Sequence, residues 1–187
     1  IDANQARTSD GTTPLFIACQ EGHAAIVTLL LARDEIDANQ ARTDTGTTPL
    51  YMACQEGHAA IVTLLLAHDG IDANQARTDD GRTPLYIACE KGHAGIIKLL
   101  LAHNGIDVNQ ATTDDGTTPL HAVSFGSVLL AMQYLVVHGA SLVAEDFDGD
   151  TPAQFATLEN KPAHAEWLNA VSGWSQLRVA AGCRLYK

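Results

Sequence analysis

The chain has 187 residues, a formal net charge of −11 from 22 acidic and 11 basic side chains, and an aromatic content of only 5%. This charge repels phosphate backbones and so argues against a nucleic-acid partner. No apolar run approaches the roughly 20 residues that span a bilayer, so we expect a soluble protein with no direct membrane insertion.

A Thr-Pro-Leu motif recurs with a fixed period of 35 residues, beginning at Thr13, Thr48, Thr83 and Thr118. A fixed period in this range predicts an array of small modules that bury their apolar faces against one another. We therefore treat residues 1–187 as a single array. Its predicted repeats are 1–35, 36–70, 71–105, 106–140 and 141–170, followed by 171–187 as a partial repeat or a C-terminal cap.

Each repeat encodes two short helices. Thr13-Pro14 predicts a helix start, because Thr caps the N-terminus and Pro suits the first helical position. The first helix is expected to stop at Gly22, and the second carries an apolar stripe from Ile26 to Leu31. Helices this short are not stable alone in water, so they must be stabilised by stacking.

A polar segment, 34–46, separates the first two helix pairs and ends in Gly46, which permits positive φ. It predicts an extended finger that projects from the helical stack. The equivalent segments end in Gly11, Gly81 and Gly116.

These features resemble the ankyrin-repeat family over nearly the whole chain. The family pattern is Asp-Gly-x-Thr-Pro-Leu, two small residues, Gly-His, a Leu-rich helix and Asp-Val-Asn, and it runs here from Asp80 to Asn109. The resemblance implies an all-α solenoid of stacked helix-turn-helix pairs with projecting β-hairpin-like fingers.

The chain departs from the family at several places. The repeat is two residues longer than the usual unit, and aromatic rings stand where the family commonly has His. These rings are Phe16, Tyr51 and Tyr86, whereas His121 restores the family residue. The fourth repeat replaces a polar pair by Phe125-Gly126, and the fifth is more degenerate, as is expected of terminal repeats.

Three Cys-x3-His pairs suggest a metal site: Cys19 with His23, Cys54 with His58, and Cys89 with His93. Zinc needs four ligands at about 2.0–2.3 Å, whereas each repeat supplies only two, so we predict no metal and no cofactor. The resemblance implies that the histidines bind backbone at the turn between helices. The thiols are expected to be buried and reduced, because stacked equivalents lie about 8–10 Å apart and a disulfide needs its Cα atoms within about 7 Å.

The sequence contains no motif for catalysis. Paired carboxylates occur at Asp79-Asp80 and Asp114-Asp115, but at fingertips in water their pKa values would not be tuned for acid–base work. We predict that the chain is not an enzyme. A ladder of asparagines is expected to tie down the loop backbone: Asn4, Asn39, Asn74 and Asn109.

The resemblance also implies that a partner docks in a concave groove formed by the fingertips and the exposed side of the first helices. Transferred position by position, the groove comprises Asp10, Thr12, Gln20, Glu21, Asp44, Thr45, Thr47, Gln55, Glu56, Asp79, Asp80, Arg82, Glu90, Lys91, Asp114, Asp115, Thr117 and Phe125. This set is mainly acidic, so we expect another protein as the partner, bound through a basic or amphipathic segment. The simpler alternative is that acidic fingertips only keep the solenoid soluble.

Two other functions stay open at this point. One is a structural scaffold or linker subunit that binds through its ends or its C-terminal segment, which is basic from Lys161 onward. The other is a targeting region of a larger enzyme whose catalytic domain lies outside this sequence. Reduced thiols favour an intracellular, cytoplasmic protein, and a targeting signal could lie upstream, because Ile1 falls inside a repeat.

Overall fold

The computed structural model describes residues 3–124 and 129–180, with side chains up to residue 173. In this part the chain is all helical, with ten helices and no strand, and none of the helices is long and apolar enough to cross a membrane. The helices are α1 (Pro14–Gln20), α2 (Ala24–Leu31), α3 (Pro49–Glu56), α4 (Ala59–Leu66), α5 (Pro84–Glu90), α6 (Ala94–Leu101), α7 (Pro119–Ala122), α8 (Leu129–Val137), α9 (Pro152–Leu158) and α10 (Pro162–Ala180).

The helices stack in two rows. The first helices of successive repeats, α1, α3, α5, α7 and α9, contact one another in order, and the second helices α2, α4, α6 and α8 form the neighbouring row. The α10 helix packs on α9. Buried side chains run as one cluster from Ala3 to Leu168, so the core is continuous along the stack. This is the helical solenoid that the sequence predicts.

The predicted helix starts are confirmed. In the first three repeats a threonine hydroxyl accepts the third helical residue's N–H at 3.1 Å: Thr13 from Phe16, Thr48 from Tyr51 and Thr83 from Tyr86. In the fourth repeat the Thr118 N–H instead donates to His121 Nδ1 at 3.1 Å. A cap of this kind stabilises a helix by about 1 kcal/mol.

The fingers are hairpin-like turns whose backbones are linked along the array. In the second finger the Arg42 N–H donates to Thr47 O and the Gly46 N–H donates to Arg42 O, both at 3.0 Å. Each finger also donates one N–H to the preceding finger at 2.9 Å. These bonds run from Thr43 to Asp10, Thr78 to Thr45, Thr113 to Asp80 and Phe147 to Asp115.

The fingers pack closely at their glycines. Gly81 has φ of +74°, and a Cβ placed there would lie 2.6 Å from the Thr113 backbone nitrogen. At Gly149 of the fifth finger, φ is +84° but nothing lies within 4 Å of the same position. The inner fingers therefore need glycine for contact as well as for conformation.

The asparagine ladder clamps each repeat to the next, as the sequence predicts. Asn39 donates from Nδ2 to Gly70 O at 2.8 Å and accepts the Asp72 N–H on Oδ1 at 2.9 Å. Asn74 binds Gly105 and Asp107 in the same way. Asn4 and Asn109 repeat this pattern at the two ends of the ladder.

The C-terminal segment differs from one expectation. The sequence suggests a separate first helix after residue 170, whereas α10 runs without a break from Pro162 to Ala180. Gly173 does not end the helix, because a glycine inside a helix costs only about 1 kcal/mol relative to alanine. The reading of 171–187 as a partial repeat or a C-terminal cap stays a prediction, as do the repeat boundaries, and 181–187 lie outside the described residues.

Candidate functional site: the finger and first-helix face

The structure brings most of the predicted groove residues onto one face. Adjacent fingers are linked by backbone hydrogen bonds, and the first helices stack beside them. Side chains join the two layers, since Arg82 of the third finger contacts Glu90 at the end of α5. We call this surface the finger face. Phe125, the aromatic residue of the predicted groove, lies outside the described residues.

In the second finger an arginine neutralises the acidic tip. The Arg42 guanidinium binds Asp44 through two bonds of 2.9 and 2.6 Å and reaches to 3.7 Å from Asp10 of the first finger. It also lies over the Phe16 ring, 5.8 Å from the centroid. Hydrogen bonding by Arg42 lowers the pKa of Asp44 to about 2.

The third finger repeats this arrangement with Arg77. Its guanidinium forms a two-point ion pair with Asp79, lies 3.5 Å from Asp80, and sits 5.5 Å from the Tyr51 ring centroid. The hydrogen bonds from Arg77 lower the pKa of Asp79. This shift keeps the carboxylate ionised at neutral pH, which is the opposite of what a general acid requires.

Arg82 links the third finger to the first helix. It binds Glu90 at 2.8 Å, approaches Asp80 at 3.5 Å and lies 5.3 Å from the Tyr86 ring centroid. Lys91 contacts the other Glu90 oxygen at 3.2 Å. Two arginines that were not assigned to the groove, Arg42 and Arg77, pair with its carboxylates. The first three repeats are therefore less acidic on this face than the sequence predicts, although carboxylates still outnumber basic groups.

The fourth finger lacks such an arginine. Thr112 stands at the position of Arg42 and Arg77, and its hydroxyl donates to Asp115 at 2.5 Å. Burial acts to raise the pKa of Asp115, but hydrogen bonds from Thr112 and Thr117 outweigh it and lower the pKa. Beside the finger is an open concavity of about 380 Å³ lined by Arg82, Tyr86, Glu90 and Asp115.

Three predicted groove residues are not on the surface. Thr12, Thr47 and Thr117 are at most 5% exposed, so the expectation that they face a partner is wrong. They brace the finger bases instead: the Thr12 N–H donates to Asp10 at 3.0 Å, and the Thr117 hydroxyl donates to Asp115 at 2.7 Å. The residue after the finger glycine is thus a packing position, where only the longer Arg82 reaches outward.

The histidines and cysteines have structural roles. The backbone carbonyls of Gln20 and Gln55 accept hydrogen bonds from His58 and His93 of the following repeats at 3.1 and 3.2 Å. The predicted contact with backbone is confirmed for these two histidines, but it crosses between repeats. Cys19, Cys54 and Cys89 are free and buried, as predicted, and burial raises the pKa of Cys19 to about 12. Among the described residues no three or more His, Cys, Asp or Glu side chains group to hold a metal ion.

Sequence reasoning missed the fifth finger. Phe147 projects from its tip with 71% of its side chain exposed, and its ring lies against Gly116 of the fourth finger. The Phe147 N–H makes the backbone bond that the Thr113 N–H makes one repeat earlier, so the two residues are equivalent. Asp146 therefore occupies the position at which the second and third fingers have arginine. A signal was present in the sequence: 99–160 contains eight acidic residues and no Lys or Arg.

Comparison with known proteins identifies the family. The family model for ankyrin repeats (3 copies) matches residues 1–77 and 35–112, which together span more than half of the chain. No match to a curated protein was found. Ankyrin repeats generally mediate protein–protein interactions and are typically not catalytic. With this match and the stacked helix pairs described above, the chain belongs to the ankyrin-repeat family.

Proposed function

We propose that this chain is a non-catalytic module that binds a basic segment of another protein on its finger face. The observation that carries the proposal is the distribution of sequence differences over a repeating scaffold. Buried positions such as Cys19, Cys54 and Cys89 are the same in successive repeats, whereas the polar pairs at the ends of the first helices change from Gln55-Glu56 to Glu90-Lys91. A surface that differs between repeats can distinguish one partner from another.

The charge of the finger face supports a basic partner. The predicted groove contributes nine carboxylates, whereas the basic side chains on the same face number five: Arg7, Arg42, Arg77, Arg82 and Lys91. An excess of negative charge attracts a basic segment and speeds its association, most strongly at low ionic strength. Helix-end and finger side chains are also within reach of the same ligand, as the Arg82–Glu90 contact of 2.8 Å illustrates.

The test is to map where a basic peptide binds. Amide chemical shifts of the isotope-labelled chain are followed during titration with a Gly/Ser peptide that contains several basic residues, and an acidic peptide of the same length serves as control. We expect the basic peptide to perturb the fingers and the ends of α1, α3 and α5. Perturbations confined to the second helices α2, α4 and α6, or none at all, would overturn the proposal.

A further inference from the structure

The second and third fingers show how this scaffold holds a guanidinium group. Arg42 and Arg77 each lie over an aromatic ring, at 5.8 and 5.5 Å, and each makes a two-point contact with a carboxylate of its own finger. The planar guanidinium can stack on a ring and form a two-point contact with a carboxylate at the same time. The compact ammonium group of lysine cannot make both contacts. In these two fingers, therefore, the chain's own arginines pair with the fingertip carboxylates.

The fourth and fifth fingers have the carboxylates without the arginines. Thr112 and Asp146 occupy the two arginine positions, and in the described part of the chain no Lys or Arg nitrogen comes within 4 Å of Asp114, Asp115 or Asp148. Arg82 acts on Asp114 and Asp115 only at longer range, since its guanidinium is held by Glu90 at 2.8 Å and lies 3.5 Å from Asp80. Asp115 also lines the open concavity beside the fourth finger, together with Arg82, Tyr86 and Glu90.

An aromatic ring is also present and accessible beside these carboxylates. The Phe147 N–H donates to Asp115 O at 2.9 Å, which fixes the ring next to the fourth fingertip. A Cβ at Gly116 would lie 2.6 Å from Phe147 Cδ1, so one edge of the ring rests on that glycine. Phe147 is 71% exposed, so much of its ring is open to solvent beside the fourth finger, and Asp148 follows it directly in the chain. The second and third fingers carry threonines, Thr43 and Thr78, at this position.

We propose that Asp114, Asp115, Phe147 and Asp148, here called the acidic–aromatic surface, bind an arginine side chain from the basic segment of a partner protein. The guanidinium stacks on the Phe147 ring and pairs with the flanking carboxylates, so that the partner supplies what Arg42 and Arg77 supply in the earlier fingers. This inference rests on the proposed function and adds to it the location of the strongest contact and a preference for arginine over lysine.

The experiment measures peptide affinity by fluorescence anisotropy with the full chain. The probes are a labelled Gly/Ser peptide containing several arginines and its isomer with lysines at the same positions. We expect the arginine peptide to bind about tenfold more tightly than the lysine peptide, since only guanidinium can stack and pair at once. Equal affinities of the two peptides would overturn the preference for arginine.

Variants locate the contact. Phe147→Ala and Asp114→Asn, both at exposed positions, are each expected to weaken the arginine peptide by about tenfold. Phe147→Leu keeps an apolar side chain without a ring and should weaken binding of the arginine peptide as much as Phe147→Ala does. The matched control is Asp44→Asn, which removes one carboxylate of equal charge from a finger that has its own arginine. Because Arg42 already pairs with this carboxylate, its removal should weaken the arginine peptide's binding clearly less than Asp114→Asn does.

A further variant fills the site from within. Thr112→Arg gives the fourth finger the arginine of the second and third, and should weaken the arginine peptide while circular dichroism shows the helices intact. If Thr112→Arg fails to fold, the variants at the exposed positions Phe147 and Asp114 still test the proposal. Equal losses for Asp44→Asn and Asp114→Asn would reduce the effect to net charge and overturn the inference, but would leave finger-face binding standing. If the basic peptide caused no chemical-shift change on the finger face, the proposed function itself would be overturned.

Discussion

The fingertip carboxylates of the first three fingers are paired with arginines, whereas in the described part of the chain those of the last two have no Lys or Arg nitrogen within 4 Å. In the second and third fingers Arg42 and Arg77 pair with carboxylates and cover aromatic rings that are themselves buried, such as Tyr51. In the fifth finger the aromatic residue, Phe147, is exposed, and the finger contains no basic side chain. Carboxylates and aromatic rings thus combine with arginine in the second and third fingers, and in the last two fingers they lack that arginine.

The comparison is tested most strongly by removing an aromatic ring from each region. Tyr51→Ala empties a buried position under Arg77 and is expected to lower the free energy of unfolding by about 3–5 kcal/mol. Phe147→Ala removes an exposed ring and should lower it by less than about 1 kcal/mol. Urea denaturation followed by circular dichroism measures both values. Similar losses would contradict the division between structural and available rings.

Glycine substitutions compare the packing of the fingers. Gly81→Ala introduces strain at positive φ and a contact with the Thr113 backbone, so we expect a loss of about 3 kcal/mol. Gly149→Ala introduces only the strain, because nothing lies near the added carbon, and should cost about 1 kcal/mol. Thermal unfolding of the two variants provides the comparison. If Gly149→Ala were the more damaging change, the fifth finger would be packed as tightly as the third.

Arg77→Thr gives the third finger the residue that the fourth has. It removes partly exposed ion pairs to Asp79 and Asp80, and we expect a loss of about 1 kcal/mol, at the upper end for surface pairs. Arg33→Thr is the matched control, since the Arg33–Glu35 pair is more exposed and has no ring beneath it, and its removal should change stability by about 0.3 kcal/mol or less. Both are measured by urea denaturation at low and high salt, and salt should reduce the difference between them.

The smallest expected effect is a pH dependence of the second finger. Hydrogen bonds from Arg42 lower the pKa of Asp44 to about 2, below the ordinary 3.8, so the folded state favours the ionised form. The stabilisation is complete above pH about 4 and is lost as pH falls through about 2. Asp44→Asn and Arg42→Thr should therefore be less stable than the parent at neutral pH, and the difference should shrink on acidification. A difference that grows toward low pH would reverse the assignment.

Elements defined by local sequence could be predicted. Thr13-Pro14 specifies a helix start whatever surrounds it, and the asparagine ladder follows from a side chain that favours bonds with nearby loops. The periodicity then placed one repeat on the next. What the single repeat does not reveal is which side chains meet across the interface, such as His58 with Gln20 or Arg42 with Asp10.

The ion pairs of the groove could not be predicted for the same reason. Arg42 is 26 residues from Phe16 in the sequence, yet it lies over that ring and beside Asp44, so its effect depends on stacking geometry. Thr47 and Thr117 face inward because the finger turns back at its base, which a position-by-position transfer does not resolve. The fifth finger is one residue shorter between its base and its glycine. The alignment of repeats by their sequence therefore did not place Phe147 at the position of Thr113.

The asparagine clamps have a consequence for how such an array changes in length. Asn4 binds Glu35 O and the Asp37 N–H, and Asn39 binds Gly70 O and the Asp72 N–H. Deleting the 35 residues from Ile36 to Gly70 would bring the Asp72 N–H to Asn4 and leave no backbone group unmatched. A deletion that is not a multiple of 35 residues would instead change the spacing within the clamp that it interrupts. Recombination between copies is therefore tolerated in whole repeats, which lets the gene gain or lose length in steps while the joints stay the same.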